Sequence, residues 1–347
     1  MCFAVSGIDR QTWVACLRHE HNYQMARTST GGLLTTDLLG LCPIELRLNR
    51  RIITNLRRSW GNEAVLHYNL RMNTHIEPLT LSQVQARLEA LQPRLQQLPP
   101  PGSRPLTIAG RVCGWITARA TEALQDFDGV QIDHEAVHVG ARFVNPSPVL
   151  NALLAQVAVT LKEAGCARGW RDELLDVVGE GCRVGEIERA AVRPMGLLTR
   201  AVHLNAWTPD GRLYVARRSA TKNTDPNMLD TLVGGLAGAG EDMDTALIRE
   251  SYEEAGLTLD DLARRGPERT IVRMHRRLPE GYQVEDVLVS ECVLAHDVAP
   301  RNIDGEVSEI MAVTPEELGH LLAQEQFTLE ASLVILDCLR SRLMQTA

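Results

Sequence analysis

Apolar residues along this chain change their period several times, and each change marks an element. Leu81, Val84, Leu88 and Leu91 recur every three or four residues, which predicts a helix with one apolar face. Thr80 and Gln83 stand at the two positions of a capping box in front of it. The stretch LQQLPPPGSRPL then reads as a linker through its prolines and glycine. Beyond it, LTIAGRVCGWI and AVHVGARFV carry short β-like runs, with a helical piece around ARATEALQDF between them. Residues 148–164, PVLNALLAQVAVTLKEA, predict an apolar-faced helix that Gly165 ends, and WRDELLDVV predicts a further helix. Residues 72–195 are therefore expected to form a small α+β domain.

From Thr199 the texture changes. AVHLNAWTPDGRLYVARRS reads as two strands joined by a turn at Pro209-Asp210-Gly211. A glycine-rich stretch and an acidic helix over Asp242–Ala255 follow. Strands are expected at RTIVRMHRRL, QVEDVLVSECVLA and VSEIMAV, with a turn at PRNIDGE before the last. Thr314, Pro315 and Glu317 open a capped helix, and Leu318, Leu321, Leu322, Leu329, Leu333, Leu336 and Leu339 suggest one or two packed helices. This order predicts an α/β/α layered domain over residues 196–347.

Composition narrows the partners. The 347 residues carry a net charge of −8, which argues against a general nucleic-acid binder. Eight cysteines stand singly, with no CxxC, a pattern of free thiols in a reducing compartment. No apolar run reaches the ~20 residues of a membrane span, and the N-terminus lacks the layout of a signal peptide. A soluble cytoplasmic protein, monomer or homodimer, is the expectation. Only Lys162 and Lys222 are lysine among 36 basic residues, a bias that fits GC-rich codon usage. Residues 1–71 hold nine Arg against five acids and are expected to be an atypical basic extension. They read as poorly ordered or as a start-site artefact, with the natural protein beginning at Met72; a basic tail for an anionic partner and a small domain are the alternatives.

The chemistry gathers in GGLAGAGEDMDTALIRESYEEAGL, residues 234–257. On a helix Glu250, Glu253 and Glu254 fall at i, i+3 and i+4, where each like-charge pair costs roughly a few tenths of a kcal/mol. A divalent cation is the strongest compensation, and Mg²⁺ or Mn²⁺ favours such oxygen donors. Arg249 precedes Glu253 by four residues and can orient it. Gly235 and the neighbouring glycines let the backbone approach a ligand, and Glu241 is close enough to reach back toward the acidic face.

The full spacing is Gly235, five residues, Glu241, seven residues, Arg249-Glu250, two residues, Glu253-Glu254, Ala255, Gly256 and Leu257. It resembles the Nudix box, Gx5Ex7REUxEExGU with U aliphatic, at every position but Ser251, where the usual aliphatic residue packs the helix. The resemblance implies a Mg²⁺- or Mn²⁺-dependent hydrolase of X–P–P substrates. It implies Glu253 and Glu254 as principal metal ligands, Glu250 as a further ligand or the group activating water, and Arg249 as the residue orienting them.

The flanks GWRDEL, ERAA, HLNAW, RRSxxK and DGEV resemble a Nudix subgroup related to the Nudix portion of fungal thiamine pyrophosphokinase, which carries an upstream accessory domain. That likeness covers roughly 105–340 and implies thiamine diphosphate, or its oxidised analogues, as substrate. Asn227 and Ala206 stand where the subgroup has glycine. Arg217, Arg218 and Lys222 are expected to grip the diphosphate, with Gly235 and Glu241 beside them, and Tyr282 to stack on a heteroaromatic ring. Glu306 is expected to be a distal metal ligand or a water-positioning base. Trp207 and Tyr214 are expected in the core, and His203 as an ordinary strand histidine. An isopentenyl diphosphate isomerase would need a Cys-x-His segment, which is absent. A hydrolase of ADP-ribose or dinucleotides and a noncatalytic diphosphate-binding regulatory module are the remaining alternatives.

Overall fold

Two antiparallel strands, β1 (Trp13–His19) and β2 (Asn22–Thr28), pair from Trp13↔Thr28 to His19↔Asn22. The computed structural model describes these strands together with residues 78–222 and 224–346. The strands fall in a unit spanning Met1–Thr74, and everything below concerns the second unit, His75–Ala347. The remainder of the basic extension, and the start at Met72, lie outside the described residues.

The second unit opens with α1 (Leu81–Leu95), capped as expected: Gln83 N–H donates to Thr80 Oγ1 at 3.4 Å and Thr80 N–H to Gln83 Oε1 at 2.9 Å. Sequence groups this helix with residues 72–195. Its buried face, Val84, Leu88 and Leu95, instead shares a core with residues after Trp207, including Leu333 and Leu336.

Strands β3 (Arg104–Ile108) and β4 (Arg111–Ile116), helix α2 (Ala118–Ala123), and strands β5 (Val130–Ile132) and β6 (Val137–Val139) follow, giving a four-stranded sheet in the order β4-β3-β6-β5. Helix α3 (Pro148–Glu163) buries Leu150, Leu154, Val157 and Leu161 in one cluster with Leu106 and Ile108 of that sheet. The helix expected at WRDELLDVV is a strand, β7 (Leu174–Gly179), paired with β8 (Cys182–Glu188). Val177 and Val178 favour an extended chain. Between the strands, Glu180 (φ 51°) and Gly181 (φ 78°) form the left-handed two-residue turn that matches hairpin twist. Helix α4 (Arg189–Met195) then stops at Gly196, whose φ is 57°. A Cβ on Gly196 would meet Trp115 O at 2.3 Å, so the two segments cross there only because this residue is glycine.

The remaining strands are β9 (Leu198–Trp207), β10 (Leu213–Arg218), β11 (Leu229–Thr231), β12 (Val233–Leu236), β13 (Arg269–Leu278), β14 (Gly281–Val293) and β15 (Val307–Val313). They form a mixed seven-stranded sheet in the order β11-β10-β9-β14-β13, with β12 also on β9 and β15 on β10. The pair β9–β14 is parallel, and the others are antiparallel. Helix α5 (Met243–Ala255) packs Leu247 against Val202, Leu204 and Val233 on one side. Helices α6 (Pro315–Ala323) and α7 (Leu329–Thr346) share the other core with Val215, Val287 and Trp207. This is the α/β/α sandwich with a mixed sheet that the sequence predicts. Thr314 and Glu317 form the expected capping box on α6. Strands β11 and β12 have no strand-like run in the sequence; β12 (VGGL) is extended because β9 pairs with it, from Val233↔Leu204 to Leu236↔Ala201.

The cysteines among the described residues, Cys113, Cys166, Cys182, Cys292 and Cys338, are free thiols. No described helix is long and apolar enough to cross a membrane.

Candidate active site

Helix α5 is fixed at both ends. Asp242 caps its first turn by accepting from Thr245 N–H at 2.8 Å, and Gly256 closes the last turn at φ 63°. The end carbonyls do not go unpaired: Ala255 O accepts from Arg301 N–H at 2.8 Å and Glu253 O from Asp304 N–H at 3.2 Å. These bonds stitch the 301–306 turn to the helix and bring Glu306 beside it. The glycine loop ahead of α5 leans on β7, where Ala239 N–H donates to Leu174 O and Gly240 N–H to Asp176 Oδ1, both at 2.9 Å.

Arg249 binds more carboxylates than its sequence spacing to Glu253 indicates. Its Nε and Nη2 take both oxygens of Glu241 at 2.9 Å, while Nη1 reaches Glu250 at 2.8 Å and Glu253 at 3.1 Å. The hydrogen bond from Arg249, aided by Gly238 N–H, holds the Glu241 carboxyl below its ordinary range despite burial. Glu241 thus acts behind the face, as the anchor of the arginine. Glu250 lies directly over Gly235, where a Cβ would fall 2.0 Å from its carboxyl carbon. Burial raises the Glu250 carboxyl, against the pull of Arg249. Glu254 is 6% exposed. Its Oε2 accepts from Gly234 N–H at 2.9 Å and its Oε1 lies 3.7 Å from Lys222 Nζ. Burial pushes this carboxyl up to about 8.

Lys222 also pairs with Glu306, whose other oxygen is 3.2 Å from Arg171 Nη1. Burial alone would raise Glu306, but Lys222 and then Arg171 hold it below its ordinary value. A cavity of about 470 Å³ spans Glu250, Glu306, Lys222, Arg218, Gly234 and Gly235. Arg218 lines it while bound to Asp230 at 2.8 Å and to the carbonyls of Thr224 and Asp225.

Three expected binding residues lie outside the cavity lining, Glu241 among them because Arg249 and Gly238 hold it. Arg217 pairs with Glu309 at 3.3 Å and Asn227 O at 3.1 Å, because adjacent residues of β10 face opposite sides of the sheet. Tyr282 is 2% exposed and its hydroxyl donates to Gln97 O at 2.7 Å, just past the end of α1, so it is committed there rather than to the cavity, which it does not line. The cavity wall supplies arginines the sequence reading did not assign: Arg168, Arg171, Arg189 and Arg193, all from before β9. Arg189 lies close enough to Glu250 to lower its carboxyl, although Glu173 holds its Nη1 at 2.8 Å. The motifs GWRDEL and ERAA contain two of these arginines, Arg171 and Arg189, but nothing local shows which pocket they face.

Two departures from the expected patterns, Asn227 from the subgroup and Ser251 from the Nudix box, can be placed in the structure. Asn227 adopts φ 63°, a left-handed conformation asparagine tolerates better than most residues. Ser251 is fully buried and its hydroxyl has no partner. Ser251→Ala is expected to stabilise the fold by about 1 kcal/mol, by removing an unpaired hydroxyl and favouring the helix. Urea unfolding measures this; a lower midpoint would show that the hydroxyl is satisfied. His203 is buried, bonded to Thr231 Oγ1 at 3.0 Å, and kept neutral by burial.

Among the described residues no three His, Cys, Asp or Glu side chains converge into a preformed metal cage. The donors of α5 nevertheless fit a small hard cation. They offer oxygen only, and burial raises the two most buried carboxyls even with Arg249 and Lys222 beside them, so a cation there would find electron-rich partners. Mg²⁺ in particular keeps waters and shares coordination with substrate phosphates, so it needs few protein ligands.

Fold and site together define a class, and comparison with known proteins gives the same one. The family model for the NUDIX domain matches residues 197–333. The chain belongs to the Nudix hydrolase family. It is 31% identical over 147 residues to YfcD of Escherichia coli (strain K12), an uncharacterized Nudix hydrolase, covering 42% of this chain and 76% of that one. It is 30% identical over 244 residues to the chloroplastic Nudix hydrolase 24 of Arabidopsis thaliana, covering 68% of this chain and 66% of that one. That match is longer than the whole stretch from residue 197 to the end, so it reaches into the preceding α+β segment. The crystal structure of DR0079 from Deinococcus radiodurans is similar at a TM-score of 0.34 and 28% identity, covering 45% of this chain and 92% of that one. Matches span about half to two thirds of the length of the first curated relatives.

Proposed function

We propose that this chain is a Mg²⁺- or Mn²⁺-dependent diphosphatase whose substrate is thiamine diphosphate or an oxidised analogue of it. The observation that carries the hydrolase reading is the acidic face of α5, held by Arg249 and roofed by Gly234 and Gly235. The thiamine assignment rests on the resemblance of the flanking motifs. Water adds to one phosphorus, the bridging P–O bond breaks, and monophosphate and inorganic phosphate leave. Glu250, Glu253 and Glu254 would hold a divalent cation, which offsets phosphate charge and acidifies the attacking water. Lys222, Arg171 and Arg189 present cationic hydrogen bonds to the diphosphate oxygens. The water's proton passes to a carboxylate at this face, Glu250, Glu254 or Glu306.

Incubation with Mg²⁺ and oxothiamine diphosphate, thiamine diphosphate, ADP-ribose or NADH tests this reading. Phosphate and monophosphate release from a thiamine compound is the expected result. Turnover of ADP-ribose or NADH alone would move the substrate to the dinucleotide class, and no turnover of any would favour a noncatalytic module. Gly235→Ala is expected to displace the Glu250 carboxyl and lower kcat/KM by up to about a hundredfold. Steady-state kinetics at unchanged kcat/KM would remove Glu250 from the chemistry.

A further inference from the structure

The cavity has a second pole, and its chemistry is opposite to the first. The floor strand β9 contributes Thr199, Ala201 and His203 to the cavity wall. His203 lies across from Gly234, near the acidic helix, whereas Thr199 lies across from Glu285 on β14. Four residues of extended chain separate these points by roughly 13 Å. At the Thr199 end the wall is made of Gln283, Glu285, Glu330 and Asp225.

These side chains are tied together with one bond missing. Thr199 Oγ1 donates to Glu285 Oε2 at 2.8 Å. Gln283 Nε2 donates to Glu285 Oε1 at 3.0 Å and to Glu330 Oε1 at 3.3 Å. Both amide hydrogens of Gln283 are therefore committed to carboxylates. Its Oε1, in a side chain only 5% exposed, has no partner. Buried carbonyls are seldom left so.

Charge is unbalanced in the same sense. Arg276 pairs with Glu330 at 3.3 Å and with Asp225 at 3.8 Å, and Arg193 pairs with Glu280. Glu285 has no ion pair among the described residues, and burial, then the neighbouring Glu330, raise its carboxyl. Four carboxylates, Asp225, Glu280, Glu285 and Glu330, thus face two guanidiniums, Arg193 and Arg276, both already paired, so the pole is acidic overall and disfavours a second phosphate.

Resting on the diphosphatase reading, we propose that Gln283, Glu285 and Glu330 form the subsite for the substrate's leaving group. The subsite takes a cationic or amine-bearing nitrogen heterocycle by its N–H donors and its charge. The diphosphate lies toward Lys222, Arg171 and Arg189, and the heterocycle toward β14. A hydrocarbon diphosphate offers the same phosphates and nothing to this end.

The test compares kcat/KM, with Mg²⁺, for thiamine diphosphate and for isopentenyl diphosphate, whose organic end is a neutral hydrocarbon. Glu285→Gln and Glu330→Gln keep the shape of each side chain; Glu330, at the first turn of α7, is the variant least demanding of the fold. Each is expected to reduce the preference for thiamine diphosphate by about tenfold or more, the scale of a hydrogen bond to a charged group. A preference unchanged in both variants, with both substrates turned over by the parent protein, would overturn the subsite and leave the diphosphatase standing. If the parent protein hydrolyses neither compound, the thiamine diphosphatase reading falls. The subsite is then judged by calorimetry with thiamine, which carries no phosphate. Binding weakened about tenfold in E285Q supports it, and absent or unchanged binding overturns it.

Discussion

Glu254→Gln is expected to lower kcat/KM by about a hundredfold or more, on the scale of losing a charged group aimed at the transition state. Glutamine keeps the shape and can still accept from Gly234 N–H, which Glu254 does at 2.9 Å. It supplies no charge to a cation and takes no proton. The effect on stability should run the other way. Burial pushes the Glu254 carboxyl from its ordinary 4.5 up to about 8, so the metal-free folded state binds that proton more tightly than the unfolded chain does. The stability this contributes is fully present below the lower value and is lost as pH rises through the upper one. Thermal melts in a chelator between about pH 5 and pH 9 should therefore fall less steeply for E254Q than for the parent protein. Parallel curves would mean the carboxyl is ionised without strain, and retained turnover would take Glu254 out of the proposed metal site.

Gly281→Ala should be the most destabilising small substitution at the joint between the two cores. Gly281 begins β14, and a Cβ there would sit 2.2 Å from Arg193 O and 2.5 Å from Arg193 C, both backbone atoms of α4. Backbone cannot swing aside as a side chain can, so either α4 or the β13–β14 turn must move. A loss of about 3–5 kcal/mol is expected, which for a unit of this size lowers Tm by roughly 10 °C. KM should rise as well, because Arg193 and Glu280, paired across this contact, both line the cavity. A Tm within about 2 °C of the parent would show that the joint yields easily.

Local chemistry in the sequence located what local chemistry controls. The capping boxes at Thr80 and Thr314 and the acidic face of α5 each depend on residues within one or two turns, and each is where the spacing puts it. WRDELLDVV failed because its acids and leucines imitate a helix, while the deciding signal, the Glu180-Gly181 turn, lies just past it. Strand β12 was invisible because its two glycines have no strand preference of their own; pairing to β9 makes it extended. The arginine wall was hidden for a different reason. Arg171 meets Glu306 across 135 positions of chain, a distance over which no periodicity carries information. Arg217 and Arg218 were indistinguishable by residue type, and only the alternation of β10 sends one toward the cavity and the other away.

Helix α1 has a consequence for how this protein can be handled. Its buried face closes the same core as Leu333 and Leu336, near the far end of the chain. A fragment cut at residue 197 would retain every residue of the acidic motif yet bare a continuous oily stripe where Val84, Leu88 and Leu95 had lain. Such a piece would be prone to clump rather than to work. The first helix of the unit is in effect the last plank of its hull, and the catalytic half goes to sea only with it aboard.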